Sequence, residues 1–157
     1  MTHSPEETQK IGKIVGSVAQ QGSVIELTGD LGAGKTCFVQ GIAQGLGTPD
    51  DCYITSPTYS IINEYPGRLD LFHADLYRIS DPFELEMIGF YEKYEKEGVM
   101  AIEWPDRLES AVSNDHLHIT IKTTDENSRE IIFFFNGQKW EKLVLIPVKY
   151  KHSDKKK

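Results

Sequence analysis

Three glycines in six residues, Gly29-Asp30-Leu31-Gly32-Ala33-Gly34, constrain this 157-residue chain more than any other feature. Such a segment can only be a tight turn. It follows Ser23-Val24-Ile25-Glu26-Leu27-Thr28, a short run rich in β-branched and apolar residues that reads as a strand. It precedes Lys35 to Leu46, where Phe38, Val39, Ile42, Ala43 and Leu46 recur at helical spacing and Gly47 stands as the natural C-cap. With Lys35-Thr36 the turn completes G-x-x-x-x-G-K-[ST] over residues 29–36, in the strand–turn–helix setting the pattern requires. Each position has a physical task. Glycines let successive backbone N–H groups turn inward as an anion nest. The helix starting near Gly34 aims its positive end at the same point. Lys35 reaches β- and γ-phosphates, and the Thr36 hydroxyl ligates Mg²⁺. The expected nucleotide-binding residues are therefore Gly29, Asp30, Leu31, Gly32, Ala33, Gly34, Lys35 and Thr36.

A loop of this kind needs an acid on a neighbouring strand to hold the magnesium. Two carboxylates close apolar strands: Glu103 after Val99-Met100-Ala101-Ile102, and Asp75 after Leu69 to Ala74. At the carboxyl ends of parallel strands such side chains meet at the ligand edge. Glu103 is expected as a direct or water-mediated magnesium ligand, and Asp75 as the group that positions magnesium or the attacking water. The plain alternative for both is a surface carboxylate at a strand end. Ser56-Pro57-Thr58 stands where a γ-phosphate-sensing switch would sit, or is an ordinary loop entering a strand. Trp104 lies against the nucleotide or in the core. Arg129 reaches phosphate or base, or is a solvated arginine at a strand end. His73 reads as a packed or hydrogen-bonded strand residue, and Glu92 to Glu97 as a solvated acidic face. The guanine signature N/T-K-x-D and the switch signature D-x-x-G are both absent, which favours an adenine nucleotide, ATP or ADP.

The remaining elements arrange themselves around this unit. Ser4-Pro5-Glu6-Glu7 has the form of a capping box, and Ile11, Ile14, Val15 and Val18 continue at helical spacing. Tyr59 to Tyr65 and Leu69 to Asp75 flank Pro66-Gly67-Arg68 as a hairpin. Asp81-Pro82 opens a helix through Ile88, and a second helical piece spans Tyr91 to Glu97. Val99 to Glu103 is a buried-type strand. Leu117–Ile121 and Arg129–Phe135 form an antiparallel pair about Asp125-Glu126-Asn127, and Leu143–Val148 is expected as one more strand. The order implies an α/β protein, a three-layer α/β/α P-loop NTPase type with a mixed sheet, parallel at its core with antiparallel hairpins at its edges. A single domain is expected over residues 1–148, with 149–157 as a disordered basic tail.

Charge restricts the partners. The net charge is −7, and without the lysine-rich residues 149–157 the body carries 12 basic and 23 acidic residues. Such a body repels phosphate backbones and lacks the footprint of a direct nucleic-acid binder. The longest apolar run, Ile131 to Phe135, is far short of the ~20 residues of a membrane span. The acidic start Met1 to Glu7 has no apolar core, so no signal peptide is expected. Cys37 and Cys52, without metal spacing, are expected to be reduced. A cytoplasmic protein without membrane contact follows as the expectation.

Taken together, Gly29–Thr36, Ser56-Pro57-Thr58-Tyr59, His73-Ala74-Asp75-Leu76-Tyr77-Arg78 and Ile102-Glu103-Trp104 resemble the TsaE (YjeE) family over about residues 4–135. These are small bacterial P-loop ATPases of tRNA threonylcarbamoyladenosine (t6A) synthesis. The resemblance implies a weak Mg²⁺-dependent ATPase, stimulated by partners. It would serve the TsaB–TsaD complex, which modifies adenosine 37 of tRNAs reading codons that begin with A, and would meet tRNA only through that complex. It assigns Lys35, Asp75 and Glu103 to catalysis, and Thr36, Glu103 and Asp75 to magnesium. It makes Ser56, Pro57 and Thr58 the switch, and sets Trp104, Thr8 and Arg129 beside the nucleotide. A stand-alone small-molecule kinase is the alternative. It would need a lid with arginines, and after the loop helix the sequence up to residue 128 offers only Arg68, Arg78 and Arg107. A nucleotide-sensing interaction module is the third reading.

Overall fold

The computed structural model describes residues 1–57, 59–94, 98–108, 115–135 and 138–145. Helix α1 spans Pro5–Val18, β1 Ser23–Thr28, α2 Lys35–Gly45, β2 Ile62–Tyr65 and β3 Asp70–Asp75. Short helices α3 (Phe83–Met87) and α4 (Phe90–Tyr94) lead to β4 (Gly98–Glu103), β5 (His116–Thr123) and β6 (Arg129–Phe135). The six strands form one sheet in the order β2-β3-β4-β1-β5-β6. The β3-β4-β1-β5 core is parallel, while β2 and β6 add on antiparallel at the edges. This is the expected mixed α/β sheet.

Strand alternation sorts the side chains into two layers. Ile25, Leu27, Leu71, Val99 and Ala101 pack with Phe38, Val39 and Ile42 of α2 on one face. Val24, Phe72, Ala74, Met100 and Ile102 pack with Leu85 and Phe90 on the other. The central strand β4 is buried at every position, which is why its sequence is a continuous apolar run rather than an alternation.

The closest packing lies between α1 and α2. Gly12 and Gly16 on α1 face Gly41 and Gly45 on α2, and a methyl group at Gly16 would collide with the Ile42 carbonyl. Two small-x-x-x-small stripes let the helix backbones touch, and so fix the position of the α2 N-terminus. The helix before them starts as read: Ser4 Oγ accepts from Glu7 N at 3.2 Å. The return bond of the capping box goes one residue further out, with Glu7 Oε2 accepting from His3 N at 2.8 Å.

Three boundaries differ from expectation. Strand β2 begins at Ile62 rather than Tyr59, because Ile61 takes a left-handed φ of 61° and Ser60 Oγ turns to Asn63 Oδ1 at 2.6 Å. Residues 81–94 split into two five-residue helices around Gly89, whose φ is 66°; residues 95–97 lie outside the described segments. The expected last strand is a 3₁₀ helix, Gln138–Leu145, as far as it is described. Trp140 and Leu143, three residues apart and hence on one side of a 3₁₀ helix, both bury against the α1–α2 layer. A strand would have sent them to opposite sides. Residues 146–157, with the lysine-rich tail, lie outside the described segments. Among the described residues no helix is long and apolar enough to cross a membrane.

Candidate active site

The glycine turn joins the carboxyl end of β1 to the start of α2. Gly29, Gly32 and Gly34 have φ of 147°, 78° and 104°. At Gly29 a Cβ would also strike the Ile121 carbonyl, so the turn is wedged against β5. Gly34 is the N-cap of α2 and offers no side chain to its first amides, leaving them for an anion.

Lys35 folds back over this turn. Its Nζ donates to the carbonyls of Gly29 at 2.8 Å and Asp30 at 2.9 Å, and lies 4.1 Å from the centre of the Trp104 ring. Burial pushes the ammonium below the ordinary lysine range, against the opposing pull of Glu103, Asp75 and Asp30. Thr36 Oγ1 donates to Glu103 Oε1 at 2.9 Å, and the same oxygen lies 2.9 Å from His73 Nε2. Asp75 accepts from Ser56 Oγ on one oxygen and from Tyr77 N at 3.0 Å on the other.

These groups surround a cleft of about 530 Å³ lined by Gly32, Lys35, Thr36, Asp75, Glu103 and Trp104, among others. A second hollow of about 240 Å³ continues around the other side of Gly32, Gly34 and Cys37, between Thr8 and Arg129. Leu31, Gly32, Gly34, Lys35 and Thr36 of the loop, both acids, Ser56 and Pro57 therefore converge on the first cleft; Gly29, Asp30 and Ala33 do not line it, and Thr58 lies outside the described residues. Leu31 caps the turn from outside, 76% exposed, and Ala33 is buried beneath it. Trp104 lines the cleft, its ring tilted against that of Tyr77 with ring centres 4.9 Å apart, its backbone in a left-handed φ of 61°.

Thr8 and Arg129 reach the second hollow by different means. The Thr8 hydroxyl is committed to Thr2 Oγ1 at 3.0 Å and to the Ser4 carbonyl at 3.2 Å. Arg129 is no solvated end: its Nε donates to the Ala33 carbonyl at 2.9 Å, and its Nη1 to the Ser128 carbonyl at 2.9 Å. It ties the 125–128 turn to the glycine loop.

Three residues here had no role assigned from sequence. Tyr77 and Arg78 line the cleft, and Arg78 sits 5.4 Å from the Tyr59 ring. Their signal was position, two and three residues after Asp75. His73 is fully buried and bonded to Glu103, and its signal was the strand period, two residues before Asp75 on the same face.

The oxygen donors Thr36, Glu103 and Asp75 suit a hard cation. Among the described residues no group of three or more His, Cys, Asp or Glu side chains is arranged to hold a metal unaided. Mg²⁺ is a cation of this kind: it takes one or two carboxylates and completes its shell with phosphate oxygens and water.

The family model "Threonylcarbamoyl adenosine biosynthesis protein TsaE" matches residues 2–131. The TsaE of Bacillus subtilis is 42% identical over 143 residues, covering 90% of this chain and 88% of the relative. That of Treponema pallidum is 39% identical over 131 residues, covering 83% and 96%. Among solved structures, Bacillus subtilis YdiB superposes with a TM-score of 0.64 at 40% identity, over 82% of this chain and 78% of that one. With a family model over residues 2–131, relatives of about 40% identity over most of both chains and a solved fold that superposes on this one, the chain belongs to the TsaE family.

Proposed function

We propose that this chain is a Mg²⁺-dependent ATPase that acts in the cytoplasm as an accessory factor for t6A synthesis, serving the TsaB–TsaD complex that modifies adenosine 37 of tRNA. Membership of the family supports the place in t6A biosynthesis. One observation carries the chemistry: a buried ammonium, a hydroxyl and a carboxylate meet at the mouth of a turn of left-handed glycines, in a cleft of about 530 Å³.

The residues divide the work. The amides of residues 32–36 receive the phosphates, and Lys35, which rests on two carbonyls, transfers its hydrogen bonds to them. Thr36 and Glu103, already bonded to each other, hold the metal side of the cleft, with Asp75 across from them. When bound, magnesium supplies charge neutralisation on the phosphate oxygens. Ser56, tied to Asp75, links that acid to the switch segment. Thr8 and Arg129 border the hollow beyond the loop, where the nucleoside end would lie.

The kinase alternative loses one of its three candidate lid arginines, while Arg78 stays at the cleft. Arg68 is spent on the carbonyls of Gly16 at 2.7 Å and Ala19 at 2.8 Å, where it closes the end of α1. The acidic body likewise favours tRNA contact through partners rather than directly.

The test is ATP hydrolysis by the purified chain, alone and with the matching TsaB–TsaD pair. Stimulation by the pair is expected. Turnover that is indifferent to the pair and appears only on adding a small hydroxyl compound would replace this reading with the kinase.

A further inference from the structure

We infer that His73 is a positioning residue that locks the Glu103 carboxylate in place, an inference that rests on reading Glu103 as the acid of the magnesium site.

The register sets up the contact. On the parallel pair β3–β4, His73 stands opposite Ala101 and Asp75 opposite Glu103. Strand alternation turns His73, Asp75 and Glu103 to the face covered by α2, whose second residue is Thr36. His73 is 0% exposed, and its neighbours on that face, Leu71, Val99 and Ala101, are apolar. Among the described residues Nδ1 is buried without a hydrogen-bond partner, and the ring's polar engagement there is Nε2 to Glu103 Oε1 at 2.9 Å. With Glu103 as acceptor, Nε2 carries the hydrogen.

For the fold alone this is a poor choice. A buried imidazole with an orphan nitrogen costs stability, and a β-branched residue fits the middle of a buried strand better. A local rule broken among the apolar residues Leu71, Val99 and Ala101, beside the two acids that close the strands, marks a functional constraint. The constraint is visible in the acid. Its bonds from Thr36 and from His73 both fall on Oε1, which among the described residues leaves Oε2 for solvent or a ligand. Thr36 stands on the helix that receives the nucleotide, and its hydroxyl is itself a metal donor. His73 stands on the sheet, fully buried, and holds Oε1 from an element that does not carry the nucleotide loop. Partners of this kind orient a metal's ligands.

The test uses Mn²⁺ as probe. Its binding to the ADP complex is followed by the electron paramagnetic resonance of free Mn²⁺, beside ADP binding in EDTA. His73→Leu should weaken Mn²⁺ binding about 10–100-fold, while ADP affinity in EDTA stays unchanged. His73→Gln carries an amide N–H at the reach of Nε2 and should restore most of the loss. In a Glu103→Gln background, His73→Leu should add nothing further. Should His73→Leu not fold, His73→Asn takes its place: it puts the amide at the reach of Nδ1 and must behave as Leu. Equal Mn²⁺ binding by wild type, Leu and Gln variants would overturn the inference, as would an undiminished effect of His73→Leu in the Glu103→Gln background. If Glu103→Gln itself left Mn²⁺ binding intact, the assignment of Glu103 would fall and the inference with it. A silent His73→Leu beside a damaging Glu103→Gln would sink the inference alone.

Discussion

Glu103 on β4 and Glu26 on β1 sit on adjacent parallel strands, 3% and 7% exposed, and each meets histidine. Glu103 has His73 at 2.9 Å; Glu26 has His118 Nδ1 at 3.2 Å and His116 Nε2 at 3.9 Å. By composition the two clusters are alike. They differ in face and in position along the strand. Leu27, not Glu26, is opposite Glu103, so Glu26 points to the side away from α1 and α2. Around it the network closes on itself: His118 Nε2 meets Thr28 Oγ1 at 3.2 Å, and Thr28 meets Thr120 at 3.0 Å. Glu103 is the last residue of its strand and opens on a cleft that also holds an ammonium and a helix N-terminus. A buried acid–histidine pair therefore says little until one asks what shares its face. The carboxyl edge of a parallel sheet, next to a glycine loop, turns the same chemistry into a site.

The largest expected effect separates the loop from both acids. Lys35→Ala removes charge-assisted hydrogen bonds worth about 1.5–3 kcal/mol each. ATP affinity, measured by calorimetry, should fall by at least about 100-fold, whereas Glu26→Gln leaves it as it was. Unchanged affinity in the Lys35 variant would end the account of residues 29–36.

The two acids can then be set against each other directly. Glu103→Gln should keep ATP binding and lower magnesium-dependent turnover about 10²–10³-fold, the usual scale for removing one preorganised electrostatic group. Glu26→Gln should do the reverse, leaving turnover alone and costing about 1–2 kcal/mol of stability to denaturant, because one of the two acceptor oxygens in a buried hydrogen-bond network becomes a donor. If both variants lost turnover alike, the distinction by face would be wrong. If Glu103→Gln hydrolysed ATP at full rate, the catalytic acid would lie elsewhere.

The same distinction explains what the sequence disclosed. The glycine loop announced itself, since its three glycines fit only backbone angles that other residues avoid. Strand-closing acids were legible because apolar runs ended in them. His73 was seen, yet its partner was not, because the pairing needs the β3–β4 register, which no local pattern encodes. Glu26, inside a clear strand, gave no hint of which face it took. The glycines of α1 and α2 read as weak helix positions; only the crossing of the two helices makes them necessary. Leu143 to Leu145, a short apolar run, satisfied strand and helix patterns alike, and burial of Trp140 decided it.

The smallest effect is also the sharpest discriminator, because it uses Lys35 as a gauge of which acid it feels. Burial lowers the pKa of the free lysine, and Glu103, Asp75 and Asp30 partly hold it up; Glu26 is not among them. Phosphates beside the ammonium must raise it again in the complex. The free-state pKa then lies below the bound-state pKa, so binding takes up a proton at any pH between the two. ADP affinity is full below the free-state value and declines as pH rises through that window. Removing the Glu103 charge lowers the free-state pKa further, so in Glu103→Gln the decline should begin at a lower pH, while Glu26→Gln should leave it where wild type has it. Calorimetry of ADP binding in EDTA, in buffers of different ionisation enthalpy, reads the proton uptake without metal at the site. No uptake at alkaline pH would mean that Lys35 does not meet the phosphates. Equal shifts in the two glutamine variants would mean that distance to the cleft, and not the face of the sheet, governs what each acid does.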